Sequence, residues 1–227
     1  MKVIVFGASK GLGREVIAAG LAAGHQLSAF ARNPDRIDIT DENLRLIRGN
    51  VLDAEAVTKA LRNHDAAVCT LGLPTKQALG VRRSKVLSKG TENIVAGMRQ
   101  QQVTRFICET AIGTGDSAAD CTPLARFAFR AVLGYMFREK DRQEALTRAS
   151  GLDWTIVRPT ALTHGPATEQ AQIAEHLPAG ILTQVSRKDV ARWIVGELNS
   201  NQWLTKTVTV SYAPRFGDSL RWARHFR

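Results

Sequence analysis

Cysteine is scarce in this chain. Only Cys69, Cys108 and Cys121 occur, and their spacing builds neither a thiolate metal site nor a disulfide framework. Cys69 and Cys108 fall in apolar stretches that read as core strands, so buried, reduced thiols in a cytoplasmic protein are expected. The five histidines are scattered without ligand spacing, and no metal is expected. No apolar run approaches the ~20 residues that cross a bilayer, so no membrane span is expected. The apolar start is broken by Gly7 to Gly13 with no cleavage pattern behind it, which argues against a signal peptide. Acidic residues are also in deficit, with 21 Asp and Glu against 31 Lys and Arg, a net charge of +10. The bases are spread over Arg82-Arg83-Ser84-Lys85, Arg126 to Arg148, Arg187-Lys188 and the C-terminal tail. No single element concentrates them among base-reading aromatics, so a nucleic-acid partner is not expected. A generally cationic surface that attracts anionic small molecules is the reading that remains. The tail from Arg215 to Arg227 has the pattern of a short basic amphipathic helix, expected to dock on the domain rather than on a membrane.

What is present is concentrated at the start. Met1 to Phe6 reads as a buried strand, Gly7-Ala8-Ser9-Lys10-Gly11-Leu12-Gly13 as a turn, Arg14 to Ala23 as a helix and Gln26 to Ala31 as a second strand. Each glycine has a physical task in such a unit. Gly7 lets the strand turn sharply, Gly11 leaves the backbone bare where a diphosphate approaches, and Gly13 lets the helix pack close to the strand. The helix's first N–H groups then face the phosphates.

Further along, Leu44 to Arg48, Ala66 to Leu71, Val103 to Cys108, Trp154 to Val157 and Lys206 to Val210 read as strands, with a short one at Ile181 to Val185. Pro159 is expected to break the strand before it. Helices are expected at 54–61 with Asp53 as N-cap, 84–101, 123–149 behind Thr122-Pro123, and 187–198. Residues 113–120 read as a loop and 163–180 as irregular. Alternating strands and helices imply an α/β fold of the Rossmann type, a doubly wound parallel sheet with helices on both faces. One domain over 1–227 is expected, with a small ligand-covering elaboration at about 159–183. In the long helix the apolar residues Phe127, Phe129, Leu133, Tyr135, Met136 and Phe137 fall on more than one face. A core position is expected for them, with a dimer contact as the alternative, so the chain is read as a monomer or homodimer.

The second strand ends at Ala31-Arg32 with no acid until Asp35. An acid there would bind the ribose hydroxyl of NAD(H). Arg32, Arg36 and Lys10 instead supply three positive groups where a 2′-phosphate lies, which favours NADP(H) over NAD(H).

The chain resembles the atypical short-chain dehydrogenase/reductases, the NAD(P)H-binding and NmrA-like group, and within it the flavin and biliverdin-IXβ reductase branch. The likeness rests on Val5 to Ser9, Ala31-Arg32-Asn33, Gly49 to Asp53, Leu71-Gly72, Gly90 to Val95 and Ser150 to Pro159. It implies a cofactor site formed by Gly7, Ser9, Lys10, Gly11, Leu12, Gly13, Arg32, Arg36, Asn50, Val51, Leu71, Gly72, Leu73, Thr110, Pro159 and Leu162. Three positions depart from the group. Lys10 replaces a glycine, which other short-chain enzymes that prefer NADP also show. Asn50 stands for the aspartate that meets the adenine. Thr110 stands for a serine beyond the fifth strand, with Glu109 beside it as a charge of no evident role.

The Tyr–Lys proton relay of short-chain dehydrogenases is missing. Tyr135 precedes Lys140 by five residues, so their side chains diverge by about 140° around a helix, and Met136 takes the tyrosine's place. Lys140 and Glu144 are four apart and read either as a helix ion pair or as a lysine aimed at the nicotinamide ribose. Thr110 and Lys140 are therefore the candidate catalytic groups. Chemistry without a strong acid suits hydride transfer to a conjugated acceptor such as a flavin, quinone or tetrapyrrole. Its pocket is expected to be lined by Leu73-Pro74, Thr110 to Ile112, Pro159 to Leu162 and part of 113–120. The alternative is an NADP(H)-binding sensor without turnover.

Overall fold

The computed structural model describes residues 1–81 and 83–213; the tail helix expected from Arg215 lies outside them. Strands β1 (Lys2–Phe6), β2 (Gln26–Ala31), β3 (Leu44–Arg48), β4 (Ala66–Cys69), β5 (Arg105–Glu109) and β6 (Asp153–Pro159) alternate with helices α1 (Leu12–Ala22), α2 (Ala54–Ala60), α3 (Thr75–Ala78), α4 (Val86–Gln100) and α5 (Pro123–Arg148). Strands β7 (Ala161–Thr163), β8 (Gln172–Ala174) and β9 (Gln184–Ser186), helix α6 (Arg187–Ser200) and strand β10 (Lys206–Ser211) follow. The main sheet has the order β3-β2-β1-β4-β5-β6-β10-β8, parallel except for β8 at its edge. The chain order reverses beside β1, so the crevice between β1 and β4 opens at the strands' carboxyl ends.

The central strands are apolar on both faces because helices cover both. On one side Val3, Val5 and Ala29 meet Val16 and Ile17 of α1 and Ile194 and Leu198 of α6. On the other, Ile4, Phe6 and Phe106 meet Val57 of α2 and Leu87, Ile94 and Met98 of α4. Cys69 and Cys108 are register neighbours on β4 and β5, buried and free.

Four expectations need correction. Strand β6 runs through Pro159 instead of stopping short of it, because the proline is the strand's last residue and its carbonyl still accepts from Ile112 N–H. Strand β4 ends at Cys69, where Thr70 turns toward β1. The segment 163–180 contains β8, which is anchored by pairing with β10 and is too short to show an alternating pattern. The expected strand at 181–185 forms at Gln184–Ser186 and pairs with β7. Helix α5 also divides its apolar residues. Backbone at Leu133 departs from helical geometry (φ −116°, ψ 17°). Phe137 is buried and stacks on Phe129, with ring centroids 5.7 Å apart, whereas Leu124, Phe127 and Val132 are exposed rather than in the core.

Candidate active site

The glycine turn is built as its spacing implies. Gly7 sits at φ +90°, and a Cβ there would lie 2.6 Å from the Thr70 carbonyl oxygen. Gly11 at φ +61°, ψ −135° is the N-cap of α1, a conformation that side chains with a Cβ avoid. A Cβ on Gly13 would stand 2.4 Å from the Gly7 carbonyl, so only glycine lets α1 start against the end of β1. Ser9 is half-buried and Lys10 exposed, while the Leu12 side chain joins the core and leaves its N–H for the turn. An amide-lined cradle with no Cβ to fill it fits a diphosphate.

Lys10, Arg32 and Arg36 are all exposed, and none forms an ion pair among the described residues. Arg48 closes the space behind them by donating to the Arg32 carbonyl and pairing with Asp35. Asn50 is exposed, but its Oδ1 accepts from Leu52 N–H at 3.1 Å, so the turn it belongs to already engages that oxygen. Val51 is buried, and its carbonyl accepts from Asn93 Nδ2 at 2.8 Å.

At the ends of β5 and β6 a buried ionic network forms in place of the Lys140–Glu144 helix pair, one of the two readings of that spacing. Both residues face the sheet, where partners from other elements intervene. Lys140 Nζ donates to the Glu109 carbonyl at 3.1 Å and to the Glu109 carboxylate at 3.3 Å, and its third contact is the Leu71 carbonyl at 3.5 Å. Glu144 accepts from Thr110 Oγ1 at 2.8 Å and from the Arg158 guanidinium at 2.8 and 2.7 Å. Arg148 adds a contact to Glu144 at 2.9 Å, and Asp116 meets Arg158 at 2.6 Å. Burial raises the Glu109 carboxyl above the ordinary carboxylate range, against the pull of Lys140 and Arg187. For Arg158 burial opposes the charge, yet the hydrogen bonds it donates to Glu144 and Asp116 outweigh that and hold the guanidinium charged.

The structure thus brings Thr110, Lys140, Leu71 and Pro159 to neighbouring strand ends. Thr110 N–H donates to the Val157 carbonyl at 2.7 Å. Gly72 is exposed, and Leu73 and Leu162 are half-buried in the two core layers. Tyr135 is held elsewhere, its hydroxyl accepting from Ser84 N–H and donating to the Ser84 carbonyl. A cavity of about 250 Å³ lies between α5 and residues 113–121, lined by Gly113, Arg126, Phe129, Arg130, Phe137 and Glu144 among others. It shares only the 113–118 stretch with the expected pocket; α5 supplies most of the rest.

Sequence reasoning missed Glu109, Asp116, Arg158 and Arg187 as site residues. A charged residue inside the apolar run Thr155-Ile156-Val157-Arg158-Pro159 is itself a signal of a buried pair. Arg187 gives no such signal, since it reads only as the basic start of α6.

Residues 7–201 match the NAD(P)H-binding family. Among individual proteins, a (4-alkanoyl-5-oxo-2,5-dihydrofuran-3-yl)methyl phosphate reductase of Streptomyces griseus is 24% identical over 202 residues, 86% of this chain and 62% of that protein. The chain spans about three fifths of the length of the first curated relatives it matches, 61% and 62%. An anaerobilin reductase from Escherichia coli superposes with a TM-score of 0.78 at 24% identity, covering 95% of this chain and 98% of that one. A short-chain dehydrogenase/reductase from Veillonella parvula, solved in complex with NADP, gives 0.75 at 17% identity over 94% and 95%. No helix among the described residues is long and apolar enough to cross a membrane. The glycine cradle, the sheet order and a family match that runs almost the length of the chain agree: this chain belongs to the NAD(P)H-binding family.

Proposed function

We propose that the chain is an NADPH-dependent reductase that delivers hydride to a conjugated acceptor such as a flavin, quinone or tetrapyrrole. When bound, the cofactor supplies the hydride; the protein supplies position and charge. The observation that carries the reading is Met136, one helical turn before the buried Lys140. A simple ketone needs a proton delivered at the oxygen as hydride arrives, and no tyrosine stands there to deliver it. A conjugated acceptor spreads the incoming charge and takes its proton from water or a weak donor. Lys140, fixed on two carbonyls and the Glu109 carboxylate, supplies positive charge at the strand ends. Thr110 supplies a hydroxyl whose direction is set by Glu144. The preference for NADPH rests on exposed Lys10, Arg32 and Arg36 and on the lack of an acid after β2.

One observation favours a second reading, an NADP(H)-binding sensor without turnover: the Thr110 proton is engaged by the Glu144 carboxylate, which also pairs with Arg148 and Arg158. The two readings part in one assay. Protein, NADPH and a panel of flavin, quinone and tetrapyrrole acceptors are mixed, and the nicotinamide absorbance is followed. Loss of absorbance with any acceptor supports the reductase; tight NADPH binding with no acceptor turned over leaves the sensor.

A further inference from the structure

Arg187 is the first residue of α6, and its side chain crosses to the glycine turn. Its Nε lies 3.7 Å from the position a Cβ would take on Gly11. Nη1 is buried and has no hydrogen-bond partner among the described residues. Two other arginines, Arg105 and Arg158, also carry one orphaned buried nitrogen, but their remaining nitrogens grip Glu197 and Glu144. The Arg187 side chain makes no hydrogen bond or ion pair with any described residue. A guanidinium nitrogen held out of water without an acceptor is costly unless something else supplies one.

The stem of Arg187 is fixed in place. Ser186 caps α6 through its Oγ, which accepts from Lys188 N–H at 3.2 Å and donates to the Gly165 carbonyl at 2.7 Å. Val185, one residue further back, is fully buried. The guanidinium therefore stands preformed over the Gly11 turn, near enough to the buried Glu109 at the end of β5 for its charge to act on that carboxyl. Glu109 is itself engaged by Lys140 and lies beyond ion-pair distance of Arg187.

We propose that Arg187 is a diphosphate clamp: it closes over the Gly11 turn and binds the phosphoryl group on the nicotinamide side of the dinucleotide, opposite the amides of α1. A planar guanidinium matches two phosphate oxygens at once. Arg32 and Arg36 discriminate the 2′-phosphate at the far end of the cofactor, whereas Arg187 reads the group that NADPH and NADH share. This deepens the cofactor half of the reading above and uses no turnover, so it stands or falls separately from the acceptor.

The test compares four ligands on the full chain by calorimetry: NADPH, NADH, ADP-ribose and 2′,5′-ADP, the last lacking the second phosphoryl group of the diphosphate. Arg187→Met is expected to weaken NADPH, NADH and ADP-ribose by about 10- to 100-fold and to leave 2′,5′-ADP within about twofold. Unchanged 2′,5′-ADP binding also shows that the variant is folded. Arg187→Lys keeps the charge but not the fork and falls between the two. The melting temperature of the ligand-free variant is expected to equal or exceed that of the parent, since an unsatisfied buried donor has gone. Undiminished NADPH binding, or an equal loss for 2′,5′-ADP, overturns the assignment. A parent chain that binds none of the four overturns both the clamp and the cofactor.

Discussion

Lys140 Nζ lies 3.3 Å from the Glu109 carboxylate, and both side chains are buried where β4 and β5 end. Neither charge is tolerable alone there. Lys140→Met strands Glu109 and is expected to cost about 3–5 kcal/mol at neutral pH. The pH dependence follows from sign. Burial already raises the Glu109 carboxyl, and without Lys140 it rises further. A raised folded-state value means the native state holds its proton more tightly than the unfolded chain does. The variant's stability is then greatest below the unfolded carboxyl value and is lost as pH rises through the folded one. Urea melts at pH 5 and pH 8 should separate the variant from the parent mainly at pH 8. Adding Glu109→Gln should recover part of the loss, and a double variant no better than the single one would show that the pair is not the cause.

Gly13→Ala tests the cradle by geometry alone. The new Cβ would sit 2.4 Å from the Gly7 carbonyl oxygen and 2.6 Å from Thr70 Oγ1. Neither can yield easily, because Thr70 is tied to the Phe6 carbonyl by its N–H at 2.9 Å and its hydroxyl at 3.1 Å. Helix α1 must shift outward, at about 1–3 kcal/mol for overpacking. Dinucleotide binding should fall at least as far, measured by nicotinamide fluorescence. Undiminished binding would mean that the cofactor does not use this turn.

Arg32→Ala separates the two cofactors. The Arg32 side chain is exposed and makes no ion pair among the described residues, so its loss should leave stability nearly unchanged. NADPH binding should weaken by about 1–3 kcal/mol while NADH binding barely moves. Equal losses would show that Arg32 does not meet the 2′-phosphate.

How much of this was legible beforehand depends on sequence distance. The β1 strand, the glycine turn and the start of α1 occupy thirteen consecutive residues, and each conformational demand is met by a residue inside that stretch. Local chemistry sufficed there to identify the diphosphate-binding turn from residues 7–13 alone. The ionic network was not legible, because Glu109 and Lys140 are 31 residues apart and Thr110 and Glu144 are 34 apart. Judged as an isolated helix, α5 pairs Lys140 with Glu144. Packing against β5 and β6 offered each a better partner, and tertiary contact overrode the i, i+4 rule. Arg187 was missed for the opposite reason: nothing in its neighbourhood along the chain says that it leans over Gly11.

The segment between β7 and β9 is tied down through a single carboxylate. Asp189 on α6 accepts from the N–H groups of Thr168 and Glu169, from the Thr168 hydroxyl and from the Tyr212 hydroxyl, which ties residues 168–169 and the end of β10 to one carboxylate. Burial pushes that carboxyl up, but the Tyr212 hydroxyl and the two N–H groups outweigh it and hold it below the ordinary aspartate value. A depressed folded-state value gives stability that is present above the unfolded value and disappears as pH falls through the folded one. Acid should therefore release the 168–169 stretch before the sheet unfolds. Hydrogen exchange at the Thr168 and Glu169 amides is expected to quicken as pH drops below about 4, after correction for intrinsic rates, while amides of β1 and β4 stay protected. Asp189→Asn should show the quickened exchange already at neutral pH, because a neutral amide accepts these bonds more weakly. If the two amides and the β1 amides instead lose protection together, the carboxylate is not a local tie and the segment opens only with the whole sheet.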